Sequence, residues 1–569
     1  MNFKSIKMKK ALYCLFSLLV INVYSYGQSS YVPLNNNYYH TVDRYEILNG
    51  KFSQTFFTSV KQYTRKSVAE FIDTLAKDSS SLKRISKVDR FNFTYLANDN
   101  WEFSSTAQND SKKAVLKAFY KKKSDMFHVN TKDFDLHVNP VIYFSGGTEK
   151  NYGAVTQNTR GIEVRGMVDK RVGFYTFITD NQALEPSYVA DYRSQFYVIP
   201  GEGYNKSFKT KGVDYLSARG YINFNVTRHI AVQFGHDKNF IGNGYRSLIL
   251  SDNSSPYTFL KLNTKVWKFN YTNLFTQMDA YPKTGPDTLL PKKYLAFHHL
   301  SLNVTKHLNI GVFESVVFRG RGADTSKAGQ FELAYLNPII FYQSMQQQLG
   351  SPDNLLSGMD FKWNFLKHFS MYGQIVLDEF VFHQVLAGKG WWANKQALQG
   401  GLKYIDAFGL KNFDLQGEIN YVRPYTYSHV NNYTNYSNYN QPLAHPLGAN
   451  FVEFIGIARY QPLPRLNITA KVFYSKLGVD TAGSNWGGNI LKKYTTFQKE
   501  YGNKVGQGVK TNLIYTSLNL SYMAFHNIFI DANVTYRSYS NILATALQKN
   551  TLILGFAIRW YIPQHLNEL

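Results

Sequence analysis

The sequence predicts an all-β transmembrane antiparallel barrel of about 18 strands, preceded by a small N-terminal helical domain. Three observations predict this fold. Apolar and polar residues alternate with period two from about residue 134 to the end of the chain, as in strands that have one dry face. Many of these segments are near the roughly 9–11 residues that a tilted strand needs to cross a bilayer. Short turns and long loops alternate between the segments, as in outer-membrane barrels.

Composition agrees with this class. The chain has 569 residues, 44% of them hydrophobic and 16% aromatic, and a formal net charge of +24. So many hydrophobic residues argue against a disordered chain. After the first 27 residues no apolar run reaches the roughly 18 residues of a spanning helix, so membrane crossing would have to use strands.

Residues 1–27 are predicted to be a signal peptide. A positive region at 4–10 is followed by an apolar stretch at 11–23 and by a small-residue cleavage region at 25–27, the order that export signals have. The only cysteine, Cys14, lies in the apolar stretch, so the mature chain has no thiol for a disulfide or a metal. We predict no cofactor and no metal site.

Residues 28–133 are predicted to form a periplasmic helical domain or plug. Ser67 to Glu70 match a capping box. The apolar residues behind it have helical spacing; they are Val68, Phe71, Ile72 and Leu75. A second helix is expected around Leu82, Ile85, Phe93 and Leu96, and a short basic third at 114–123.

The barrel is predicted over residues 134–562. The segment Arg465–Ser475 shows the pattern most clearly, because Ile468, Ala470 and Val472 alternate with polar neighbours. The predicted strands are 134–144, 160–168, 172–180, 214–226, 229–236, 257–262, 265–276, 294–304, 308–318, 357–366, 369–382, 398–407, 412–424, 451–460, 465–476, 511–523, 527–538 and 550–561.

The predicted connections alternate in length. Short turns are expected at 169–171, 227–228, 263–264, 305–307, 367–368, 408–411, 461–464 and 524–526, on the periplasmic side. The first long loop is expected at 145–159, and the loop at 319–356 is expected to fold into the lumen as a partial plug. Residues 563–569 form a C-terminal tail, for which positions inside the lumen and in the periplasm are both open.

The most distinctive segment runs from residue 235 to residue 256, and it contains Gly235, His236, Asp237, Gly242, Gly244, Arg246, Ser251, Asp252, Asn253 and Pro256. It resembles the segment of Wzi-type capsule-assembly outer-membrane proteins in which a Gly-rich turn leads into Ser-Leu-x-Leu-Ser-x-Asn and a proline. It is more similar still to Bacteroidetes relatives of the gliding-motility protein RemB. The last predicted strand, ending at Trp560, also resembles the C-terminal assembly signal of bacterial outer-membrane barrels.

The resemblance implies a non-enzymatic barrel in the outer membrane of a Gram-negative bacterium that binds or anchors surface polysaccharide and supports gliding motility. It also implies surface polysaccharide or lipopolysaccharide, outer-membrane lipid and secretion or gliding machinery as partners, and no nucleic acid. The motif glycines permit positive backbone φ in a tight loop. The alternative is a loop that only stabilises its own fold.

Period-two parity predicts a basic lumen. It places Arg165, Arg219, Lys268, Arg459, Lys471, Arg537 and Arg559 on the lumen face. Together with Arg246, the residues Arg165, Arg219, Lys471, Arg537 and Arg559 are the candidate ligand-binding residues, because a basic lumen concentrates polyanions. Alternatively these side chains pair with acids inside the barrel; the candidates are Glu163, Asp169, Asp414, Glu418 and Asp531.

Two other functions stay open. A passive anion-leaning channel requires an open lumen. A hydrolase at the barrel rim requires His236 to act as base toward Ser247 or Ser251, and proximity in sequence does not establish the geometry of a catalytic dyad. We therefore predict that the protein is not an enzyme.

Overall fold

The computed structural model describes residues 29–78, 85–280, 290–319, 329–339, 341–481, 483–541, 549–563 and 567–569. The predicted signal peptide lies outside the described residues. None of the described helices is long and apolar enough to cross a membrane.

Eighteen antiparallel strands form a closed barrel. They are β1 Phe134–Glu149, β2 Gly153–Val168, β3 Val172–Leu184, β4 Gly212–Asn225, β5 Ile230–Asp237, β6 Tyr257–Val266, β7 Phe269–Asp279, β8 Lys292–Asn303, β9 Leu308–Phe318, β10 Asn354–Phe365, β11 Phe369–Leu377, β12 Gln396–Tyr404, β13 Phe413–Val422, β14 Phe451–Leu463, β15 Leu466–Val479, β16 Val509–Phe525, β17 Ile528–Asn541 and β18 Lys549–Trp560. Each strand pairs with the next, and β18 closes the ring on β1 with Ile553 opposite Glu149. The predicted fold class and strand number are confirmed.

The two faces of each strand follow the predicted parity. On β15, Val472 is 52% exposed on the outer face, whereas Thr469 points inward and is buried. On β17, Ile530 is exposed outward and Asp531 is buried. Apolar side chains therefore face the lipid, and polar side chains fill the interior.

Two predicted connections are wrong. The long loop expected at 145–159 is a turn at 150–152, because β1 and β2 continue to Glu149 and Gly153. Gly147 allows close contact between β1 and β18, since a Cβ there would lie 2.5 Å from the Leu554 carbonyl oxygen. The short turn expected at 263–264 lies at 267–268, since β6 extends to Val266.

The described residues of the N-terminal domain, 29–78 and 85–133, contain three helices: α1 Asn36–Asn49, α2 Arg65–Lys77 and α3 Lys87–Asp99. The N-cap of α2 is Thr64, whose side chain accepts a hydrogen bond from Ser67 N, so the capping residue lies three positions before the predicted one. Helix α3 has a capping box between Ser86 and Asp89. Helix α1 was not predicted, and residues 114–123 form turns with isolated bridges.

The N-terminal domain enters the lumen from the end that carries the short turns. Phe52 N donates to the carbonyl of Lys306 in one turn, and Tyr95 Oη donates to Asn527 Oδ1 in another. Deeper in, Asp43 on α1 accepts from Lys362 and Lys403 on the barrel wall. The domain therefore fills this end of the barrel.

A short strand joins this domain to the wall. Phe127–Asn130 pairs with Asp135–Val138 of β1, below the stretch of β1 that pairs with β18. The predicted division of the chain at residues 133 and 134, and its periplasmic placement, stay predictions.

Helix α1 makes docking of the domain sensitive to pH. His40 Nε2 lies 2.9 Å from Asp414 Oδ2, and burial, with Arg459 and Lys403 nearby, lowers the pKa of His40 from 6.5 to about 4. A histidine whose pKa is lower in the folded than in the unfolded protein contributes its full stabilisation above pH 6.5. This contribution is lost as the pH falls toward 4. The full shift corresponds to roughly 3 kcal/mol.

We therefore expect the protection factors of the α1 amides, which correct for the slower intrinsic exchange at low pH, to fall between pH 7 and pH 5. In His40→Asn, which keeps a polar group next to Asp414, this part of the pH dependence should disappear. The same pH dependence in both proteins would contradict the assignment.

The described part of the loop between β9 and β10, residues 329–339 and 341–353, packs outside the barrel, and its predicted place in the lumen is wrong. Its helix α5, Tyr342–Leu349, packs on the outward faces of β7 to β9, with Tyr342 against Phe275 and Val316. The outward carboxylate of Glu314 accepts from Tyr342 N at 2.8 Å and Gln343 N at 3.0 Å. A polar residue on the lipid face thus caps this helix.

Candidate functional site

A cavity of about 610 Å³ lies at the end of the barrel that carries the long loops. We call it the mouth cavity. It is walled by helix α4, Ser187–Phe196, by loop residues at 440–449 and 488–492, and by the upper ends of β15 to β17. Its volume lies in the range of about 300–1,000 Å³ that is usual for ligand pockets.

Helix α4 presents aromatic rings to the mouth cavity. Tyr188, Tyr192 and Phe196 are spaced by four residues and all line the cavity. The ring centres of Tyr192 and Phe196 lie 4.6 Å apart. The β1 carboxylate of Glu149 fixes the start of α4 by accepting from Ser187 N at 2.7 Å. Burial raises the pKa of Tyr188 and of Tyr192, so their hydroxyls stay neutral hydrogen-bonding groups.

Arg537 is the predicted ligand residue that lies in the mouth cavity. Its guanidinium lies 4.7 Å from the ring centre of Tyr188 and 5.5 Å from that of Tyr539. Its Nε donates to the carbonyl of Leu569 at 2.8 Å. Rings that hold a cation in this way form a surface suited to stacking and to hydrogen bonding.

The C-terminal tail forms the floor of the mouth cavity, so its described end lies inside the lumen. Leu569 lines the cavity, and Tyr188 Oη donates to the carbonyl of Asn567 at 2.7 Å. Lys471 Nζ donates to Glu568 Oε1 at 2.6 Å. Burial alone would raise the pKa of Glu568, but Lys471 and Arg246 hold it below its ordinary value.

The predicted motif segment, residues 235–256, folds into the lumen below the mouth cavity. Phe240 and Ile241 pair with Lys61 and Val60 of the N-terminal domain, and Gly242 N donates to Ser59 O at 2.7 Å. Gly242 has φ +139°, and a Cβ there would lie 2.3 Å from Gln374 Nε2. Glycine is therefore required at this position by both conformation and space.

Two side chains of the barrel wall accept hydrogen bonds from the motif loop, residues 238–256. Glu418 accepts from Tyr245 N at 2.7 Å and from Arg246 N at 3.1 Å. Gln374 accepts from Leu248 N at 2.7 Å. A Cβ on Gly244 would lie 2.7 Å from Glu418 Oε2, so this glycine allows the carboxylate to approach the loop.

The remaining motif residues connect the loop to its neighbours. Asp237 accepts from Gln62 Nε2 at 3.1 Å, and the Asp252 carbonyl accepts from Lys238 Nζ at 3.0 Å. Burial lowers the pKa of Lys238 to about 8. Two hydrogen bonds reach loop 442–444: Ser251 N donates to Leu443 O, and Asn253 Nδ2 donates to Pro442 O. Gly235, on β5, and Pro256, directly before β6, flank the motif loop. The motif therefore joins the N-terminal domain, the barrel wall and the loops of the mouth.

The structure brings Arg246 and Lys471 together at Glu568 and separates the other basic candidates, and each candidate has an acidic or carbonyl partner. Arg165 pairs with Glu102 and Asp125, Arg219 with Glu202, Arg246 with Glu453, Lys471 with Glu568 and Arg559 with Asp531. Of the acids that the sequence suggested as partners, Asp531 is the one found here. Lys268 lies in the turn at 267–268, so its predicted place on the lumen face is wrong. As ligand residues, these positions stay predictions.

The residues of the hydrolase hypothesis do not meet, and Ser247 is buried inside, where its hydroxyl donates to the carbonyl of Ile241. His236 is on the outer face of β5, with Nδ1 3.3 Å from Thr258 Oγ1. Ser251 is buried inside, where its hydroxyl donates to the carbonyl of Ala444. Within the described ranges, no group of three or more His, Cys, Asp or Glu residues could hold a metal ion.

Sequence reasoning missed the aromatic face of α4, and it left the position of the tail open. The spacing of Tyr188, Tyr192 and Phe196 is a helical signal inside a predicted loop, and it could have revealed the face. The position of the tail depends on contacts with Tyr245 and Lys471, far away in the sequence, and no local pattern predicts such contacts.

One solved structure has the same architecture over nearly the whole chain. Wzi of Escherichia coli, an outer-membrane protein involved in group 1 capsule assembly and a carbohydrate-binding β-barrel, superposes with a TM-score of 0.54 at 14% identity, over 95% of this chain and 100% of that one. OprD of Pseudomonas aeruginosa gives a TM-score of 0.41 at 9% identity, over 75% of this chain and 94% of that one. OccAB2 of Acinetobacter baumannii also gives 0.41 at 9% identity, over 75% and 97%.

Comparison of sequences identifies the family. No curated protein matches the chain significantly. The family model described as capsule assembly protein Wzi matches residues 149–552, well over half of the chain and nearly the whole barrel. The chain is therefore an outer-membrane β-barrel that belongs to the Wzi capsule assembly family.

Proposed function

We propose that this protein binds surface polysaccharide in the mouth cavity and thereby helps to hold capsule at the cell surface, without acting as an enzyme. The observation that carries the proposal is the aromatic face of α4, set beside Arg537 in a cavity of about 610 Å³. Aromatic rings can stack on sugar rings, while Arg537 and the tyrosine hydroxyls offer hydrogen bonds at the edges. The resemblance to Wzi of Escherichia coli, whose reported property is carbohydrate binding, supports the same conclusion.

The binding test uses the purified full chain in detergent and oligosaccharides prepared from the host's own surface polysaccharide. Tyr192→Ala should weaken binding by roughly 1 kcal/mol, about fivefold, because one stacking surface is lost. Tyr197→Ala is the matched control, since Tyr197 is exposed and directly follows the helix. Equal affinity of Tyr192→Ala and the unchanged protein would contradict the proposed site.

Deletion of the gene tests the role in the cell. We expect polysaccharide to move from the cell fraction into the medium without a change in the total amount made. Unchanged polysaccharide on the cells would contradict the role in capsule retention.

A passive channel is disfavoured by the contents of the lumen. The N-terminal domain, the motif loop and the tail each make contacts inside it. In planar bilayers we therefore expect little current, and a large steady conductance would favour the channel.

We propose gliding as a second, finer role. It rests on the resemblance of residues 235–256 to the segment of RemB-like proteins, and it implies contact with secretion or gliding machinery. The test is colony spreading on agar, which the deletion should reduce; unchanged spreading would remove this role and leave polysaccharide binding in place.

A further inference from the structure

We propose that Tyr245, Arg246 and Lys471 form a carboxylate-binding subsite beneath the mouth cavity, on the other side of the C-terminal tail, which the chain's own Glu568 fills and which takes an acidic sugar when the tail moves away. The inference rests on the proposed function and names the class of ligand: a saccharide that carries a carboxylate. Glu568 occupies the place of that ligand carboxylate.

The donors of the subsite converge on one carboxylate. Lys471 Nζ lies 2.6 Å from Glu568 Oε1, and Tyr245 Oη donates to Glu568 Oε2. Lys471 Nζ also donates to Tyr245 Oη at 3.0 Å. Charge-assisted hydrogen bonds of this kind are roughly twice as strong as neutral ones.

Arg246 adds a further donor and a positive charge. Its Nη2 donates to the backbone carbonyl of Glu568 at 2.9 Å. Its Nε is buried and has no hydrogen-bond partner among the described residues, and it lies 3.9 Å from Glu453 Oε2. Arg246 thus holds the backbone of the tail through Nη2, while its Nε lies on the side of Glu453.

The subsite keeps its shape without the tail. Lys471 projects from β15, and Glu418 on β13 holds Tyr245 and Arg246 through their backbone N–H groups. The donors are therefore positioned by the wall and ready for another carboxylate. Preorganised donors lose less entropy on binding a ligand.

Loss of Glu568 leaves a charge to be compensated. Lys471 is 11% exposed, and its described ion pair is with Glu568. A poorly solvated cation without a partner is costly, and a ligand carboxylate restores the pair. The tail and an acidic sugar therefore compete for the same donors.

The tail also separates two spaces that a saccharide could join. Leu569 lines the mouth cavity of about 610 Å³. Glu568 lines a second cavity of about 170 Å³, together with Asn35, Lys471 and Asn519. Displacement of residues 567–569 would connect the two spaces and expose Lys471 to the mouth.

The test compares an acidic with a neutral saccharide on the full chain in detergent. The acidic probe is a galacturonic acid oligomer and the neutral probe is a dextran oligomer of equal length. Glu568→Ala should raise the affinity for the acidic probe about tenfold and leave the neutral probe within twofold. Glu500→Ala is the charge-matched control, because Glu500 is exposed in a loop at the same end of the barrel; it should change neither affinity by more than twofold.

A second variant keeps the test decisive. Adding Lys471→Ala to Glu568→Ala should abolish the gain for the acidic probe while the neutral probe still binds. An unchanged acidic affinity in Glu568→Ala, or a gain that survives Lys471→Ala, would overturn the subsite and leave the proposed function standing. Failure of the acidic probe to bind any variant would also overturn the subsite, whereas the proposed function is decided separately by the host oligosaccharides.

Discussion

Replacing Asp43 with alanine should weaken the docking of the N-terminal domain by about 3 to 5 kcal/mol. Asp43 is buried between Lys362 and Lys403 of the barrel wall, and it accepts a hydrogen bond from each. Burial would raise its pKa, but the two lysines hold it well below the ordinary value. Without Asp43, Lys403 keeps a carbonyl contact with Asn243 and loses its described carboxylate.

The measurement is hydrogen exchange in α1, supported by limited proteolysis of the domain in the detergent-solubilised barrel. Exchange and cleavage should both rise strongly in Asp43→Ala. Glu70→Ala is a suitable control, because Glu70 pairs with Lys66 at 4.0 Å on an exposed surface, where such pairs contribute little. Protection of α1 as complete as in the unchanged protein would show that Asp43 does not hold the domain.

Glu418→Ala should release the motif loop from the wall and cost about 3 kcal/mol. The carboxylate is buried, and it accepts from the backbone N–H groups of Tyr245 and Arg246 and from Tyr372 Oη. Alanine leaves two buried N–H groups without an acceptor, each costing about 1–3 kcal/mol. We expect faster hydrogen exchange at residues 241–250.

Glu418→Gln provides the matched comparison, since its amide oxygen can still accept one of the two N–H groups. Its effect on exchange should be clearly smaller than that of Glu418→Ala. Equal exchange in all three proteins would mean that Gln374 and the buried apolar residues hold the loop alone.

The barrel could be predicted from the sequence because lipid on one side and an enclosed interior on the other impose a strict period of two. Val472 and Ile530 show this directly, since both are apolar, outward and exposed. The errors fall where a residue's partner is distant in sequence. The loop expected at 145–159 is such a case, because this stretch of β1 pairs with β18 and the β18 backbone fills the space beside Gly147.

The position of the loop between β9 and β10 was predicted wrongly for a related reason. Glu314 continues the alternation of β9 on its lipid-facing side, and a charged residue there is costly in lipid. Its acceptors are used by Tyr342 and Gln343, which follow in a segment without alternation. The polar residue on the outer face was the available signal that something covers the wall at this height.

The candidate site was predictable in part. Parity placed Arg537 and Lys471 on the inner face, where the structure has them. Their partners could not be predicted, because Leu569 and Glu568 reach them from the other end of the chain. Long-range pairing inside a closed volume depends on which segments enter it, and that is set by packing.

The short strand Phe127–Asn130 has a consequence for biogenesis. It covers the lower part of the edge of β1, which β18 covers only above it, and an uncovered strand edge tends to pair with other chains. We therefore expect the insertion of the helical domain to be coupled to the pairing of β1 with β18 that closes the barrel. In a chain synthesised without residues 29–130, the lower edge of β1 would be uncovered during assembly. Such a chain should accumulate as aggregates paired through this edge instead of as closed barrels.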